Sequence, residues 1–300
     1  MELRVLQYFL VVAREENITR AADMLHITQP TLSRQLTELE EEMGVPLLIR
    51  GKRRTTLTDE GMLLRRRAEE MLELSEKTKR EVGSASRDIA GVVSIGAAEA
   101  SAAEALAELM KVFSRQYSKV RFELVSGNAD QIKERLENGL LDVGLLLEPV
   151  ELDKYEYVRL PQQDHWGVLL RVDDPLAEKE ALTAADLVDR PLLVSNRSTV
   201  RGRLSEQFGF HDAFQGVNIF STYNLIGNAA TLVEQRLGCA LCIRGAVSHY
   251  DPARFAFRPL MPDIPLSAVL VWQKWQRFSP AAKKFIEEAK MLFEHEEGRN

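Results

Sequence analysis

The secondary-structure pattern of this chain changes abruptly near residues 84–91. Before this point apolar residues recur at helical spacing with almost no strand-like runs, whereas from Gly91 onward short β-branched runs alternate with helical stretches. Residues 84–88 are small or polar, as is typical of a hinge. A chain of 300 residues is also long for a single core. We therefore predict an N-terminal domain at 1–58, a linker helix at 59–87 and a C-terminal domain at 88–300.

Charge is distributed unevenly between these parts. Residues 1–87 carry 15 basic and 15 acidic side chains, while residues 88–300 carry 24 and 30. The net charge of −6 argues against a generally basic coat for nucleic acid, but it leaves room for a local basic patch. No stretch is apolar enough for a membrane span, and the N-terminus lacks the pattern of a signal sequence. We therefore expect a cytoplasmic protein that does not bind membranes.

The N-terminal segment has the pattern of a helix-turn-helix. A first helix presents a broad apolar face around Leu6 and Leu10, and Thr19 is expected to cap a short second helix. Thr28 can cap a third helix with Pro30 in its first turn, where the leading amides have no partner within the helix. The residues of the third helix that are expected to face the core are Leu32, Leu36, Leu39 and Met43.

A basic hairpin is predicted after the third helix. Residues 45–58 have the pattern of two short strands around Gly51, and four of the five residues at 50–54 are cations. No acidic residue occurs between Met43 and Thr58, so the tip of this hairpin stays positive in an acidic chain. Such a wing suits contact with a phosphate backbone. The hairpin favours a DNA-binding domain over an ordinary three-helix core, which the helical pattern alone would also allow.

The sequence strongly resembles the LysR-type transcriptional regulators over nearly its whole length. The most specific part of the resemblance runs from Phe9 to Gly61. The matching residues in it include Thr19-Arg20-Ala21-Ala22, Thr28-Gln29-Pro30, Ser33-Arg34, Leu39-Glu40, Gly44, Leu47, Arg50 and Leu57-Thr58 with Gly61. The family usually has Phe where this chain has Leu48, a difference that we expect to affect local packing more than DNA chemistry.

Helix geometry and the resemblance together predict a set of DNA contacts. A recognition helix places its first-turn side chains against base edges in the major groove, and a wing lies along the backbone. The predicted DNA-binding residues are Thr19, Thr28, Gln29, Pro30, Thr31, Ser33, Arg34, Arg50, Lys52, Arg53 and Arg54. The expected DNA partner is a double-stranded inverted-repeat operator.

The linker helix is predicted to begin after Thr58, with Asp59 and Glu60 in its first turn. Apolar and small residues recur along it at alternating steps of four and three, as in a heptad seam. This seam consists of Leu64, Ala68, Met71, Ser75, Thr78 and Val82. A solvated surface helix is the alternative. The resemblance implies that the helix is the dimerisation arm of a homodimer or homotetramer.

From Gly91 onward the chain alternates strands and helices in the way that builds parallel sheets. The expected elements are strands at 92–96, 121–126, 142–147, 166–172, 191–195, 217–221, 239–243 and 267–272, a helix at 99–117 and a final helix that opens at 279–280. They suggest a lobe I at about 91–162 and 268–300 and a lobe II at about 163–267, with crossovers near 160–165 and 264–268. The layout resembles the two-lobed periplasmic-binding-protein-like (type 2) effector domain of the LysR family, and the chain is predicted to be of the α/β class.

Effector contacts are predicted directly after the strands. Ligands of open α/β lobes lie beyond the carboxyl ends of the strands, where helix N-termini offer unpaired amides. The resemblance implies the same for the first-strand loop and for the regions of Ser195 and Tyr223. The predicted effector-binding residues are Glu99, Ala100, Ser101, Ser126, Asn128, Glu148, Ser195, Asn196, Tyr223 and Asn224. For the Ser and Asn residues among them, a plain capping role is the alternative.

Glu99 is unusual among these residues, because a carboxylate in the first-strand loop would repel the small acids that many members of the family sense. One interpretation is that Glu99 favours a cationic or zwitterionic effector. The other is that it merely stabilises the start of its own helix.

Other functions are less consistent with the sequence. Cys239 and Cys242 suggest a redox sensor, but residues three apart in a strand point to opposite faces, so we expect buried structural cysteines. The five histidines lack metal-ligand spacing, and we expect neither a metal nor a cofactor. The sequence contains no phosphate loop and no nucleophile elbow that would indicate an enzyme. An architectural DNA-bending protein would not need the large C-terminal α/β part.

The sequence therefore predicts a transcriptional regulator, not an enzyme. Its promoter binding or activation is expected to be modulated by a small-molecule effector between the C-terminal lobes. RNA polymerase is a further candidate partner.

Overall fold

In a computed structural model, which describes residues 1–51, 54–83, 89–208 and 218–297, the chain forms two compact units. The first comprises Met1–Ala85 and the second comprises Ser86–Asn300. The long helix that follows the wing belongs to the first unit. None of the described helices is both long enough and apolar enough to cross a membrane.

The first unit is a winged helix-turn-helix with a long C-terminal helix. Its elements are α1 (Leu3–Glu15), α2 (Ile18–Met24), α3 (Gln29–Met43), β1 (Leu48–Arg50), β2 (Thr55–Leu57) and α4 (Asp59–Gly83). The strands β1 and β2 pair antiparallel and form the predicted wing. The residues at the centre of the core include Phe9, Val12, Leu32, Leu36, Leu39 and Leu47. The predicted core face of the third helix is thereby confirmed, with Met43 partly buried at its end.

Side-chain caps fix where the two central helices begin. Thr28 caps α3 as predicted, since its hydroxyl accepts a hydrogen bond from the amide three residues on at 3.4 Å. The prediction that Thr19 caps the second helix is wrong. Asn17 caps α2 instead, and its Oδ1 accepts from the Arg20 amide at 3.0 Å. Because the helix already begins at Ile18, Thr19 is an exposed residue inside it.

The helix α4 begins as predicted, because the Thr58 hydroxyl accepts from the Gly61 amide at 2.9 Å. Its first turns pack against α1, and Ala68 is fully buried. Of the other predicted seam residues, Leu64, Met71 and Ser75 are half-buried and Thr78 is exposed, while the side chain of Val82 lies outside the described part. The early part of the seam therefore contributes to the core of the first unit, and its role in dimerisation stays a prediction.

The second unit alternates strands and helices. Its elements are β3 (Gly91–Ala97), α5 (Ala103–Gln116), β4 (Val120–Ser126), α6 (Ala129–Glu137), β5 (Val143–Leu147), β6 (Tyr155–Arg171), β7 (Leu192–Ser195), α7 (Ser198–Phe208), β8 (Ile219–Tyr223), α8 (Ile226–Glu234), β9 (Cys239–Ile243), α9 (Arg244–Val247), β10 (Phe255–Pro259), β11 (Pro265–Gln273) and α10 (Pro280–Glu297). Short 3-10 helices occur at Pro175–Glu178 and Ala184–Asp186.

Two lobes share the long strand β6. The strand order is β4-β3-β5-β11-β6 in lobe I and β6-β9-β7-β8 in lobe II, with β10 also paired to β6. In lobe I, β3 runs parallel to β4 and β5, and in lobe II, β7 runs parallel to β8 and β9. Each lobe thus has a parallel set of three strands. In lobe I, α5 and α6 follow β3 and β4, and in lobe II, α7, α8 and α9 follow β7, β8 and β9.

The predicted crossovers near 160–165 and 264–268 lie in the middle of β6 and at the start of β11. β6 is 17 residues long, and it pairs with β11 in its first part and with β9 and β10 in its last part. The sequence obscures this strand because Pro161 and a run of polar residues interrupt its apolar pattern. β10 was not predicted, and α5 begins at Ala103 rather than at 99, since the residues between them form a turn.

Candidate DNA-binding surface and effector cavity

The first turn of α3 presents an exposed polar surface. Gln29, Pro30, Thr31 and Arg34 are exposed, and Ser33 is half-buried beside them. The Arg34 side chain is 72% exposed, and its only ion pair within the described residues is with Glu38 on the next turn, at 3.6 Å. An exposed pair of this kind is worth little. The guanidinium can therefore exchange it for a base edge or a phosphate at small cost.

Arg50 braces the wing against α3. Its guanidinium donates to Ser33 Oγ at 3.3 Å, to Thr37 Oγ1 at 3.0 Å and to Glu40 Oε2 at 2.9 Å. The other carboxylate oxygen of Glu40 accepts from the amides of two consecutive residues that enter β1, at 2.8 and 2.9 Å. The structure thus gives Arg50 a positioning role that its charge alone did not reveal, and contact with phosphate stays a prediction.

The other predicted wing residues differ in how far the structure describes them. Lys52 and Arg53 lie outside the described residues. Arg54 is exposed and pairs with Glu16 at the end of α1, and this hydrogen bond lowers the pKa of the Glu16 carboxyl. The Glu16 carbonyl also accepts from the Thr55 amide at 2.8 Å. The base of the wing is therefore fastened to α1 on one side and to α3 on the other.

A cavity of about 140 Å³ lies between the lobes of the second unit. It is bordered by the segments that follow β3, β4 and β5 in lobe I and β7, β8 and β9 in lobe II, as expected for a ligand site in open α/β lobes. Its apolar lining residues include Leu147, Trp166, Val200, Ile226, Ile243 and Leu266. The polar residues that line it are Glu99, Asn128, Glu148, Ser195, Arg197, Thr199, Tyr223 and Asn224.

Six of the ten predicted effector-binding residues border this cavity, namely Glu99, Asn128, Glu148, Ser195, Tyr223 and Asn224. The other four lie elsewhere. Ala100 is buried in the core of lobe II, and Ser101 is hydrogen-bonded to Asp164. Ser126 and Asn196 are exposed outside the lining. The predicted loops border the cavity, but the sequence did not resolve which side chain of each loop lines it.

Two charged lining residues are paired with charges of opposite sign. Glu148 accepts from Arg159 at 3.1 Å. Arg197 makes a bidentate pair with Asp130 of α6, with both distances at 3.0 Å. This second pair links lobe II to lobe I beside the cavity. Arg197 was not predicted, although its position two residues after Ser195 was a usable signal.

Glu99 and Asn128 each satisfy the first amides of a helix. Glu99 Oε2 accepts from the amide of Ile226, the first residue of α8, at 3.2 Å. The helix α8 belongs to lobe II. One interpretation of the sequence expected Glu99 to stabilise the start of its own helix, but its hydrogen bond is to α8. Asn128 caps α6, where its Oδ1 accepts from the amides of Asp130 and Gln131 at 3.1 and 3.0 Å.

A buried carboxylate at the junction of the lobes was also missed. Asp164 of β6 is 2% exposed. It accepts from the Ser101 amide at 2.7 Å, from Ser101 Oγ at 3.2 Å and from the Gly245 amide at 2.7 Å. A Cβ at Gly245 would lie 1.9 Å from the Ser101 nitrogen, so only glycine allows the two loops to approach this closely. Asp164 therefore ties the first-strand loop of lobe I to the start of α9 in lobe II.

Cys239 and Cys242 are buried free thiols, as predicted. Burial raises the pKa of the Cys239 thiol to about 11 and raises the pKa of the Cys242 thiol further above its usual range. The thiolate is the reactive form, so both groups are held in the unreactive state at neutral pH.

We expect the native chain to react with iodoacetamide at neutral pH at least about a hundredfold more slowly than the chain unfolded in guanidinium chloride, because the Cys239 thiolate fraction falls by that factor. The same shift has a defined effect on stability. As the pH rises, the Cys239 thiol ionises at a lower pH in the unfolded state than in the native state. The free energy of unfolding therefore falls between about pH 9 and 11. Mass spectrometry of the alkylated protein measures the rate, and equal rates in both states would contradict buried structural thiols.

A winged helix-turn-helix unit followed by a two-lobed α/β unit with a cavity between its lobes defines a ligand-responsive DNA-binding regulator. Comparisons with known proteins agree. Residues 3–62 match the family of bacterial regulatory helix-turn-helix proteins of the lysR family, and residues 86–294 match the LysR substrate binding domain. The chain belongs to the LysR family of transcriptional regulators. It is a DNA-binding regulator with a small-molecule effector domain and not an enzyme.

Individual relatives span nearly the whole chain. The Hca operon transcriptional activator HcaR of Escherichia coli (strain K12) is 34% identical over 291 residues, which is 95% of this chain and 96% of that protein. The uncharacterized regulator YvbU of Bacillus subtilis (strain 168) is 31% identical over 98% of this chain and 99% of its own length. The crystal structure of full-length CbnR complexed with its target DNA has a TM-score of 0.71 at 23% identity, covering 97% of this chain and 99% of that one. This last likeness shows the fold, which includes the periplasmic-binding-protein-like effector domain.

Proposed function

We propose that the chain binds an inverted-repeat operator through the first turn of α3, as a homodimer or homotetramer, and regulates transcription in the bacterial cytoplasm in response to an effector in the interlobe cavity. The observation that carries this proposal is the exposed polar surface of Gln29, Pro30, Thr31 and Arg34 beside a braced wing. A contact with RNA polymerase at the promoter is part of the same proposal.

The geometry of α3 supports base reading by Arg34. Thr28 uses its hydroxyl as a helix cap, and Ser33 accepts a hydrogen bond from Arg50. Gln29 and Arg34 are the exposed side chains of this surface that can make two hydrogen bonds to one base edge. Arginine is suited to guanine in this way.

The effector is proposed to act on the links between the lobes. Arg197 with Asp130 and Asp164 with Ser101 join lobe I to lobe II around the cavity. A ligand that binds one lobe arrangement better shifts the population towards it by its difference in affinity. In a dimer or tetramer, we propose that this shift changes the spacing of the DNA-binding helices and hence promoter binding or activation.

Replacing Arg34 with alanine is expected to weaken binding to the operator by about 10- to 100-fold while leaving binding to unrelated DNA within about threefold of wild type. A bidentate contact to a base carries sequence preference, whereas a phosphate contact does not. The measurement is fluorescence anisotropy with an operator selected by the wild-type protein from random duplexes and with a scrambled duplex of equal length.

The control is Lys111→Ala, which also removes one exposed cation but lies on α5 of the second unit, where Lys111 pairs with Glu108. It should leave both affinities unchanged. Titration with salt separates the two roles of Arg34, because the loss of a phosphate contact lowers the slope of log K against log salt by about one. An equal loss on both duplexes with a reduced slope would assign Arg34 to the backbone.

A further inference from the structure

We propose that the interlobe cavity takes a ring-sized apolar molecule that carries a protonated amine, and that it rejects carboxylates of the same size. The inference rests on the proposed function of the cavity as the effector site and names the chemical class of that effector. Three features of the cavity support it: its size and apolar walls, the two places where the chain's own carboxylates occupy helix-start amides, and the absence of a counter-ion for one of those carboxylates within the described residues.

The size and walls of the cavity indicate a compact apolar body. Its volume is about 140 Å³, and an apolar protein cavity of about 150 Å³ accommodates benzene. Leu147, Val200, Ile243 and Leu266 supply aliphatic surface, and Trp166 adds an aromatic ring. A ligand body that fills this space removes apolar surface from water on both sides, which is the main source of affinity in such sites.

One helix-start amide of lobe II that could receive the carboxylate of a ligand is already occupied. Anions bind at helix N-termini because the first amides are unpaired and the helix dipole is positive there. At the start of α8, which borders the cavity, Glu99 Oε2 accepts from the Ile226 amide at 3.2 Å. An acidic ligand would have to displace Glu99 or accept its repulsion at short range.

The corresponding amides of the first-strand loop are occupied as well. Asp164 accepts from both the amide and the hydroxyl of Ser101 and from the amide of Gly245, the second residue of α9. Ser101 follows the lining residue Glu99 by two positions, and Gly245 directly precedes the lining residue Ala246. Two side-chain carboxylates of the protein therefore take up backbone donors beside the cavity that an acidic effector could otherwise use.

The charges that remain favour a cation. Glu148 is paired with Arg159, and Arg197 is paired with Asp130. Within the described part of the chain, Glu99 is the charged lining residue without an ion pair, since its hydrogen bond is to a backbone amide. Charges attract more strongly in an apolar cavity than in water. An ammonium group near Glu99 would compensate this carboxylate, and the rings of Trp166 and Tyr223 offer cation–π contacts.

The test uses three probes of nearly equal shape, namely benzylamine, benzyl alcohol and benzoate, with the full-length protein at neutral pH. Their affinities are measured by isothermal titration calorimetry, and thermal unfolding provides a second readout because a ligand of the native state raises its stability. We expect benzylammonium to bind at least about tenfold more tightly than benzoate, the factor that one charge-assisted hydrogen bond supplies.

Variants assign the preference to Glu99. Glu99→Gln keeps the size of the side chain and is expected to lower the affinity for benzylammonium about tenfold while leaving benzyl alcohol unchanged. The matched control is Glu104→Gln, which removes an exposed carboxylate in the first turn of α5 and should leave all three affinities as they are. Benzoate that binds as tightly as benzylammonium, or an amine affinity that Glu99→Gln does not change, would overturn the proposal.

A cavity-filling variant separates this proposal from the proposed function. Ala246→Phe is expected to abolish binding of every probe, because Ala246 lines the cavity. If benzoate is the tightest probe and Ala246→Phe abolishes its binding, the amine class is wrong and the cavity remains a ligand site. If probes bind equally well to Ala246→Phe, the cavity is not their site and the effector part of the proposed function fails. If none of the three probes binds at millimolar concentration, the amine class is overturned. The DNA-binding part of the proposed function is tested separately by Arg34→Ala.

Discussion

Replacing Asp164 with asparagine is expected to lower the free energy of unfolding of the second unit by about 3 kcal/mol, which corresponds to a fall of about 10 °C in its Tm. The carboxylate is buried and accepts three hydrogen bonds, two of them at 2.7 Å. Asparagine turns one acceptor oxygen into an NH2 group. In either orientation of the amide, that group faces a backbone N–H, that of Ser101 or that of Gly245, and a buried donor without an acceptor costs about 1–3 kcal/mol.

Two further variants make this prediction specific. Ser101→Ala removes one of the three hydrogen bonds and should cost only about 1 kcal/mol. Asp189→Asn changes an exposed carboxylate of the same unit and should stay within about 0.5 kcal/mol of wild type. Differential scanning calorimetry of the full chain resolves the transitions. If Asp164→Asn melted like Asp189→Asn, the link between the lobes would contribute nothing to stability.

The fold of the first unit was largely predictable because its signals are local. A cap at Thr28, a proline in the first turn and apolar spacing along α3 depend on residues within a few positions of one another. The one wrong cap illustrates the limit of such signals. Asn17 and Thr19 are both good capping residues, and only the path of the chain after α1 decides that the helix begins at Ile18.

The cavity was predictable only as a set of loops. The rule that ligands lie beyond the carboxyl ends of strands located the segments around Glu99, Asn128, Ser195 and Tyr223. It did not identify Trp166 or other lining residues that come from strands, because their positions depend on how the two lobes meet.

The hydrogen bonds that define the chemistry of the cavity were also beyond the sequence. Asp164 and Ser101 are 63 residues apart, and Glu99 and Ile226 are 127 residues apart. Pairings over such separations are set by tertiary structure, and a single sequence shows no periodicity for them. The interpretation of Glu99 as a residue that stabilises the start of its own helix anticipated a contact with a helix N-terminus, but the helix that it contacts is α8.

The prediction with the largest expected effect concerns the core of the first unit. Phe9→Ala is expected to lower its free energy of unfolding by about 4 kcal/mol, which is enough to lower its Tm by about 20 °C, because a fully buried aromatic side chain is replaced by a cavity. Phe9 lies in the cluster that holds α3 through Leu32, Leu36 and Leu39, so operator binding should be lost as the helix loses its support.

The matched control for Phe9→Ala is Leu3→Ala on the same helix, where the side chain is 43% exposed and less apolar surface is lost from the core. We expect its operator affinity to stay near that of wild type. Both variants leave the cavity of the second unit untouched, so benzylamine binding, if present in the wild type, serves as an internal check that this unit remains folded. A Phe9→Ala protein that bound its operator with wild-type affinity at the growth temperature would show that α3 is held in place by other contacts than this core.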